Sequence, residues 1–374
     1  MTPALLQPRL LLGPGPAPVH PRVLTEMARP PIGYLDPELF ELLAELQGGM
    51  RHLFQTENPY TLALTGTGMA GMEFCLANLL EPGETAVIAV NGFFGGRMCE
   101  IATRHGANVV RVDFPWGTPV DAAKVAEAVA QSGKVALVGC VHAETSTGVE
   151  SPCAEVAKAA RDAGALFVMD AVTSLGGMPV RVDDWGVDAC YSASQKCVGT
   201  PPGLAPVTFS PGAWEKVQAR TAPILSWYLD AKLYDAYWHQ KPPAYHHTVP
   251  VNNYYGLAEV LRLIRDETLE SRWRRHRDVS DLLWSELSAI GAGLTPLAPE
   301  GCRLPMLNAV RLPAALEGQK EADLRSALLK EHGIDIGGGF GDLKGKLWRV
   351  GLMGHGAQAR NVLTLAGALR ALLG

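Results

Sequence analysis

The chain has 374 residues, 47% hydrophobic and 19% charged, an ordinary globular composition long enough for two cores. A net charge of −5 argues against a nucleic-acid or anionic-membrane surface. Seven scattered cysteines without a CxxC pair argue against a disulfide framework or a zinc site. No apolar run reaches the ~18 to 20 residues of a transmembrane helix. The first residues show no signal-cleavage pattern, and Leu372-Leu373-Gly374 is no peroxisomal address, so a cytoplasmic protein is expected.

In chain order, the Pro-rich residues 10–21 suit neither a helix nor a central strand and read as an extended arm. Its glycines would allow close approach to a ligand. Leu39, Leu42, Leu43, Leu46, Met50 and Leu53 predict a helix over 36–54. Short apolar strands follow at 62–64, 85–90, 109–112, 135–141, 166–169 and 189–192, with helical runs at 69–80, 120–131 and 153–163 between them. Such alternation predicts an α/β fold whose mostly parallel sheet is buried on both faces. Near residue 250 the pattern changes. Helices at 252–270, 279–290, 321–331 and 359–373, with weak strands at 308–312 and 347–351, predict a smaller α+β unit. The basic run 272–277 reads as a solvated helix face. The expected division is an arm over 1–21, a large cofactor-binding domain over 22–250 and a small C-terminal domain over 251–374.

Three features carry chemistry. Gly66-Thr67-Gly68-Met69-Ala70-Gly71 follows a strand and opens a helix, which offers backbone N–H groups, a helix dipole and the Thr67 hydroxyl to an anion. A dinucleotide fold would place an acid at the end of the next strand, but that strand ends Val90-Asn91-Gly92. Asp170 follows the apolar run 165–169, where ligands bind in open α/β sheets. Lys196, in Tyr191-Ser192-Ala193-Ser194-Gln195-Lys196-Cys197, has few charged neighbours, a setting that desolvates an amine and makes it a nucleophile. A phosphate cradle, an acid and a desolvated lysine together describe a pyridoxal 5'-phosphate pocket.

Seven stretches in order resemble the class V aminotransferases of the type I pyridoxal phosphate fold, most closely their alanine–glyoxylate (serine–pyruvate) branch. They are 10–16, Thr65-Gly66-Thr67-Gly68, Glu144-Thr145-Ser146-Thr147-Gly148, 168–177, 191–196, Tyr245-His246-His247-Thr248 and 347–352, and together they span nearly the whole chain. The resemblance implies a homodimeric transaminase. It would move the amino group of alanine or serine to glyoxylate or pyruvate. Lys196 would be the Schiff-base lysine and proton shuttle, and Asp170 the partner of the pyridine nitrogen. Thr67, Gly68, Met69 and Gln195 would cradle the phosphate, with Tyr245 and Thr248 reaching it from the other subunit. Arg349 would grip the substrate carboxylate, with Ser174 and Gly15 lining the substrate side. Three positions depart from the branch: Met69 stands where its members carry His, Phe94 where they stack a Trp on the ring, and Thr145 where they have Ser.

Other readings stay in view. Another class V enzyme, such as a serine–glyoxylate or other small-amino-acid:glyoxylate aminotransferase or a lyase, fits the same motifs. A desulfurase would need a cysteine in the loop 333–345, which has none. A dehydrogenase would rest on Gly66 to Gly71 alone, and a non-catalytic binding protein would leave the pairing of Asp170 with Lys196 unexplained. No second arginine is obviously placed for a distal carboxylate, which disfavours aspartate and glutamate as donors.

Overall fold

The computed structural model describes residues 8–373; the first seven residues of the expected arm and residue 374 lie outside them. A seven-stranded sheet forms the centre, in the order Tyr60–Thr65, Leu204–Phe209, Ala189–Tyr191, Leu166–Asp170, Val135–Val141, Thr85–Val90, Asn108–Asp113. Only Leu204–Phe209 runs against the others; from Ala189–Tyr191 onward every pairing is parallel. The predicted mostly parallel α/β sheet is therefore present. Its inner strands are buried along nearly their whole length, because helices cover both faces.

Parallel strands put all their C-terminal ends at one edge, and the loops leaving that edge carry the chemistry-bearing residues. Tyr60–Thr65 leads into Gly66-Thr67-Gly68, Thr85–Val90 into Phe93-Phe94, and Val135–Val141 toward Glu144-Thr145. Leu166–Asp170 ends in the acid itself, and Ala189–Tyr191 leads into the turn holding Lys196.

The sequence reading gives no strand at 204–209. The run contains Pro206, which lacks an N–H and ordinarily marks an edge strand. Here it lies between two neighbours, and its carbonyl still accepts the Ser192 N–H at 2.8 Å.

Helix Pro37–Phe54 shows how the local signals act together. The Asp36 side chain caps it by accepting from Glu38 N, Pro37 fills the first turn, and Gln55 ends it in a left-handed conformation (φ 51°). Leu39, Leu43, Leu46, Met50 and Leu53 recur at helical spacing and are fully buried in the first core. Each contributes about 1.5 to 3 kcal/mol relative to exposure.

A second, antiparallel sheet orders Thr295–Pro296, Leu307–Arg311, Leu347–Gly351 and Gly337–Gly338. Helices Leu269–Ile290 and Ala359–Leu373 share a second core with it, built on Leu283, Leu287, Val310, Trp348, Val350 and Leu365. The arm joins this core through Leu12, and Leu10–Leu11 pairs in parallel with Ile334–Asp335.

The run 272–277 corrects its sequence reading as a solvated face. Helix Leu269–Ile290 begins well before 279, and it buries Arg272, Trp273 and His276 while Arg274 and Arg277 face solvent. Arg272 sits inside because each of its three guanidinium nitrogens donates a hydrogen bond. It pairs with Glu267 at 2.9 Å and donates to the carbonyls of Gly176 (2.9 Å) and Cys197 (2.6 Å).

Candidate active site

Lys196 lies in the turn Ser194–Val198, where its own backbone is non-helical (φ −103°, ψ −131°), and the turn is closed by Gly199 in a left-handed conformation (φ 103°). Its Nζ donates to the carbonyl of Pro14 in the arm. Desolvation first, and the nearby Arg349 charge second, push the amine down to about 8. About a tenth of the amine is therefore unprotonated at pH 7, far more than for an ordinary lysine, as a nucleophilic amine requires. The arm can pass this closely only because position 15 is glycine: its φ is +116°, and a Cβ there would stand 2.5 Å from Lys196 Nζ. Ala17 N then bonds the Gln195 carbonyl at 2.9 Å, so the arm is laced along the lysine turn.

Asp170 and Tyr191 are register partners on adjacent strands, which explains why the Tyr191 hydroxyl reaches Asp170 Oδ2 at 2.9 Å. Val172 N donates to Oδ1 at 2.8 Å. Burial nevertheless raises this carboxyl to about 7, with the two hydrogen bonds opposing. No cation forms a salt bridge with it among the described residues. A buried carboxyl of this kind suits a cationic partner such as a protonated pyridine nitrogen.

The turn expected to cradle the phosphate is the start of helix Gly68–Leu79. Thr67 is its N-cap in an extended conformation, and its side chain makes no capping bond, which leaves the hydroxyl and the first N–H groups free for an anion. Gly68 lets this turn pack against its neighbours, since a Cβ there would stand 2.9 Å from Val172 and 3.0 Å from Ala193. The Met69 side chain instead lines a surface cleft with Glu73, Arg97 and Arg104, so only its backbone is offered to the cradle. Buried Ser174 Oγ, Gln195 Oε1 and Thr147 Oγ1 have no hydrogen-bond partner among the described residues. Orphaned acceptors and donors around a lysine, an acid and a helix N-terminus fit a polar ligand carrying a phosphate.

Opposite stands Arg349, on strand Leu347–Gly351 of the second sheet. Its Nε donates to Gly338 O at 2.7 Å and its Nη1 to Thr145 O at 3.4 Å; Nη2 makes no hydrogen bond among the described residues. The Phe340 ring covers the guanidinium, 4.0 Å from Cζ. Burial pushes the group down to about 10, so it stays charged at neutral pH. Glu144, missed by the sequence reading as a site group, is fully buried beneath it. Burial raises its carboxyl, while Ser146 Oγ (2.6 Å), Ser146 N (3.0 Å) and Phe94 N (3.1 Å) donate to it. It thereby fixes the loop of Thr145 to the turn of Phe94. Tyr191 was also missed. Its signal was positional: as a register partner of Asp170, it had to share a sheet face with the acid.

Tyr245 and Thr248 are exposed and bond each other at 3.3 Å. Neither hydrogen-bonds Thr67, Asp170 or Lys196 of the same chain. Neighbouring His247 ties the segment to Thr65 Oγ1 at 2.7 Å. A separate cavity of about 830 Å³, lined by Phe40, Tyr60, Trp214 and Trp238, shares no residue with the lysine site.

A desolvated lysine, a buried acid on the adjoining strand end, an open helix N-terminus and an arginine on the second sheet fit the needs of a pyridoxal phosphate enzyme. The model of the family "Aminotransferase class-V" matches residues 34–340. The (S)-ureidoglycine–glyoxylate transaminase of Bacillus subtilis (strain 168) is 35% identical, covering 98% of this chain and 90% of the relative. The alanine–glyoxylate aminotransferase of Oryctolagus cuniculus is 38% identical over 98% and 92% of the two chains. The crystal structure of an alanine–glyoxylate aminotransferase from Nostoc sp. superposes with a TM-score of 0.96 at 43% identity, covering 100% of this chain and 97% of the other. The chain belongs to the class-V aminotransferases and has their type I pyridoxal phosphate fold. Its cofactor is pyridoxal phosphate. No helix among the described residues is long and apolar enough to cross a membrane.

Proposed function

We propose that the protein transfers the amino group of a small L-amino acid, alanine or serine, to glyoxylate or pyruvate. The observation that carries this reading is the opposition of Lys196 and Arg349 across one site whose floor is Asp170. Relatives named for alanine–glyoxylate and ureidoglycine–glyoxylate exchange support the acceptor and the small donor. When bound, pyridoxal phosphate supplies a reactive aldehyde and an electron-withdrawing ring.

The residues divide the work by position. Thr67, Gly68, the Met69 N–H and Gln195 would hold the phosphate, and Phe94 and Thr145 would help hold the rest of the cofactor. Asp170, ionised once a cation meets it, keeps the ring nitrogen protonated. Lys196 would anchor the cofactor, and its Nζ would serve as the general base that takes the proton from the substrate α-carbon and then as the acid that gives it up. Its lowered pKa suits both halves, because a proton accepted near pH 8 is also readily given up. The Arg349 Nη2 edge grips the α-carboxylate, and Gly15 and Ser174 line the substrate side.

The active unit is proposed to be a cytoplasmic homodimer in which Tyr245 and Thr248 complete the partner's phosphate site. The exposure of both, and the lack of any hydrogen bond from either to Thr67 or Lys196 of their own chain among the described residues, support this. The division into an arm (1–21), a cofactor domain (22–250) and a small domain (251–374) is likewise proposed. Two separate cores support a two-unit division, but helix Val251–Glu267 packs on the first core and so places the boundary after it rather than at 250.

The test is a donor and acceptor panel on purified enzyme, with each half-reaction followed through the visible absorbance of the cofactor. Alanine or serine should discharge the band and glyoxylate or pyruvate restore it. If none of the four does so, the assignment fails.

A further inference from the structure

We propose that Phe340, acting with Phe93, determines which amino donors the site accepts. The two rings wall the carboxylate end of the site and restrict it to short, uncharged side chains. The inference rests on reading Arg349 as the carboxylate fork.

Phe340 sits in a segment with glycine at 337, 338, 339, 341 and 345. It is half-buried and belongs to neither large core, so packing of the fold does not account for it. Its ring lies 4.0 Å from Arg349 Cζ and 5.0 Å from the Phe93 ring, which in turn meets Phe94 at 5.3 Å. The three rings therefore run from the arginine of the second sheet to the turn after strand Thr85–Val90. Trp116 closes on the same loop from the first unit, 3.4 Å from where a Cβ of Gly341 would stand. Among the described residues, no hydrogen bond joins segment 339–345 to the first unit, so its contact there is aromatic. Phe93 and Trp116 remain 37% and 36% exposed.

Two consequences follow for a substrate. One face of the guanidinium is shielded from water while Nη2 stays available, which strengthens its hold on a carboxylate. The wall itself offers no donor or acceptor, so a second carboxylate or an amide pressed against it would be desolvated without a partner. The cations nearest the wall are already engaged. Arg97, 5.3 Å over Phe93, pairs with Glu100 at 3.3 Å, and Arg325 pairs with Glu321. Length is limited sterically and charge electrostatically.

The experiment compares wild-type holoenzyme with Phe340→Ala, Phe93→Ala and Arg349→Ala. It measures kcat and KM for alanine, 2-aminobutyrate, norvaline and glutamate, together with hydrogen exchange of segment 337–345 with and without saturating propionate. Phe340→Ala should raise KM for alanine about tenfold with kcat changed less than about twofold. It should also raise the norvaline-to-alanine ratio of kcat/KM at least about tenfold. The resting cofactor absorbance should not move. Propionate should slow exchange of 337–345 in wild type and not in Arg349→Ala. An unchanged donor ratio in both phenylalanine variants overturns the wall. If Arg349→Ala keeps both the alanine KM and the propionate effect, the carboxylate reading beneath the wall falls with it.

Discussion

The lysine side of the site and the arginine side are held by different kinds of structure. Asp170, Tyr191 and Lys196 stand on the ends of adjacent parallel strands, in a buried sheet whose register dictates which groups meet. Arg349 stands on a small antiparallel sheet. Its surroundings are loop carbonyls, a half-buried ring and a glycine-rich segment. The first arrangement tunes protonation through burial, and the second tunes binding through contacts that a loop can alter. Changes on the lysine side should act on chemistry and on stability against pH. Changes on the arginine side should act mainly on KM and donor choice.

The sharpest break in that contrast is Lys196→Ala, which removes the one amine able to anchor the cofactor and carry the proton. Turnover should fall on the order of 10⁴- to 10⁶-fold, read by coupled assay, while the protein folds normally by circular dichroism. Near-normal rates would detach the chemistry from this turn.

Next in size is the bridge between the two sides. Arg272 ties Gly176 and Cys197 to Glu267, and Arg275 ties the same Glu267 to the carbonyls of Gly354 (3.0 Å) and Ala357 (2.7 Å). Burial alone would raise Glu267, but the hydrogen bonds and charges of Arg275 and Arg272 more than reverse it. Next to them His276 is held neutral, pushed down to about 3 by burial and by both arginines. Its Nδ1 donates to Arg272 O (2.8 Å), and Nε2 accepts from Gly354 N (3.1 Å). Arg272→Ala strands two buried carbonyls and removes one of Glu267's two arginine partners, and should cost about 2 to 5 kcal/mol in urea unfolding. A cost below ~1 kcal/mol would mean the two sides are not joined here.

Asp170 supplies a pH signature for the lysine side. In the cofactor-free chain, burial keeps it protonated up to about pH 7, whereas in the unfolded chain it ionises near ~4. Between those values the native state binds more protons than the unfolded state, so this group's contribution to stability falls as pH rises from about 4 to 7. The slope, on the order of a few kcal/mol across the window, should be absent in Asp170→Asn and weakened once cofactor is bound. Thermal melts of both proteins, with and without pyridoxal phosphate, decide it. Parallel curves for wild type and variant would refute the burial argument.

The smallest of these effects lies on the arginine side. Arg349→Ala should lower kcat/KM about ten- to a hundredfold, the loss of a charge-assisted contact worth ~1.5 to 3 kcal/mol. Most of it should appear in KM. A fall confined to kcat would give Arg349 a role in chemistry and erase the contrast with Lys196.

Much of this was legible in the chain itself. Apolar runs ending in Thr-Gly-Thr-Gly, in Asp170 and before Ser-Gln-Lys are local patterns, and a parallel sheet carries all such endings to one edge. Strand alternation therefore implied the lysine side almost whole. The strand at 204–209 was hidden by Pro206, and the buried face of helix Leu269–Ile290 by the number of arginines on it. Leu269, Trp273, His276, Val279, Leu283 and Leu287 nonetheless recur at helical spacing. The seven ordered motifs also extended to Arg349 and named its partner chemistry.

Which side chains close around these groups was left to the tertiary structure. Sequence alone showed that Arg349 and a glycine-rich loop existed, but not that Phe340 covers the guanidinium or that Phe93 meets it from the other unit. Nor did it show Arg272 holding the backbone beside Lys196, or Glu144 bracing Phe94. The physical reason is separation along the chain. Hydrophobic period and turn chemistry act over a few residues, whereas contacts such as 93 with 340 or 197 with 272 form only when two independently patterned units pack together.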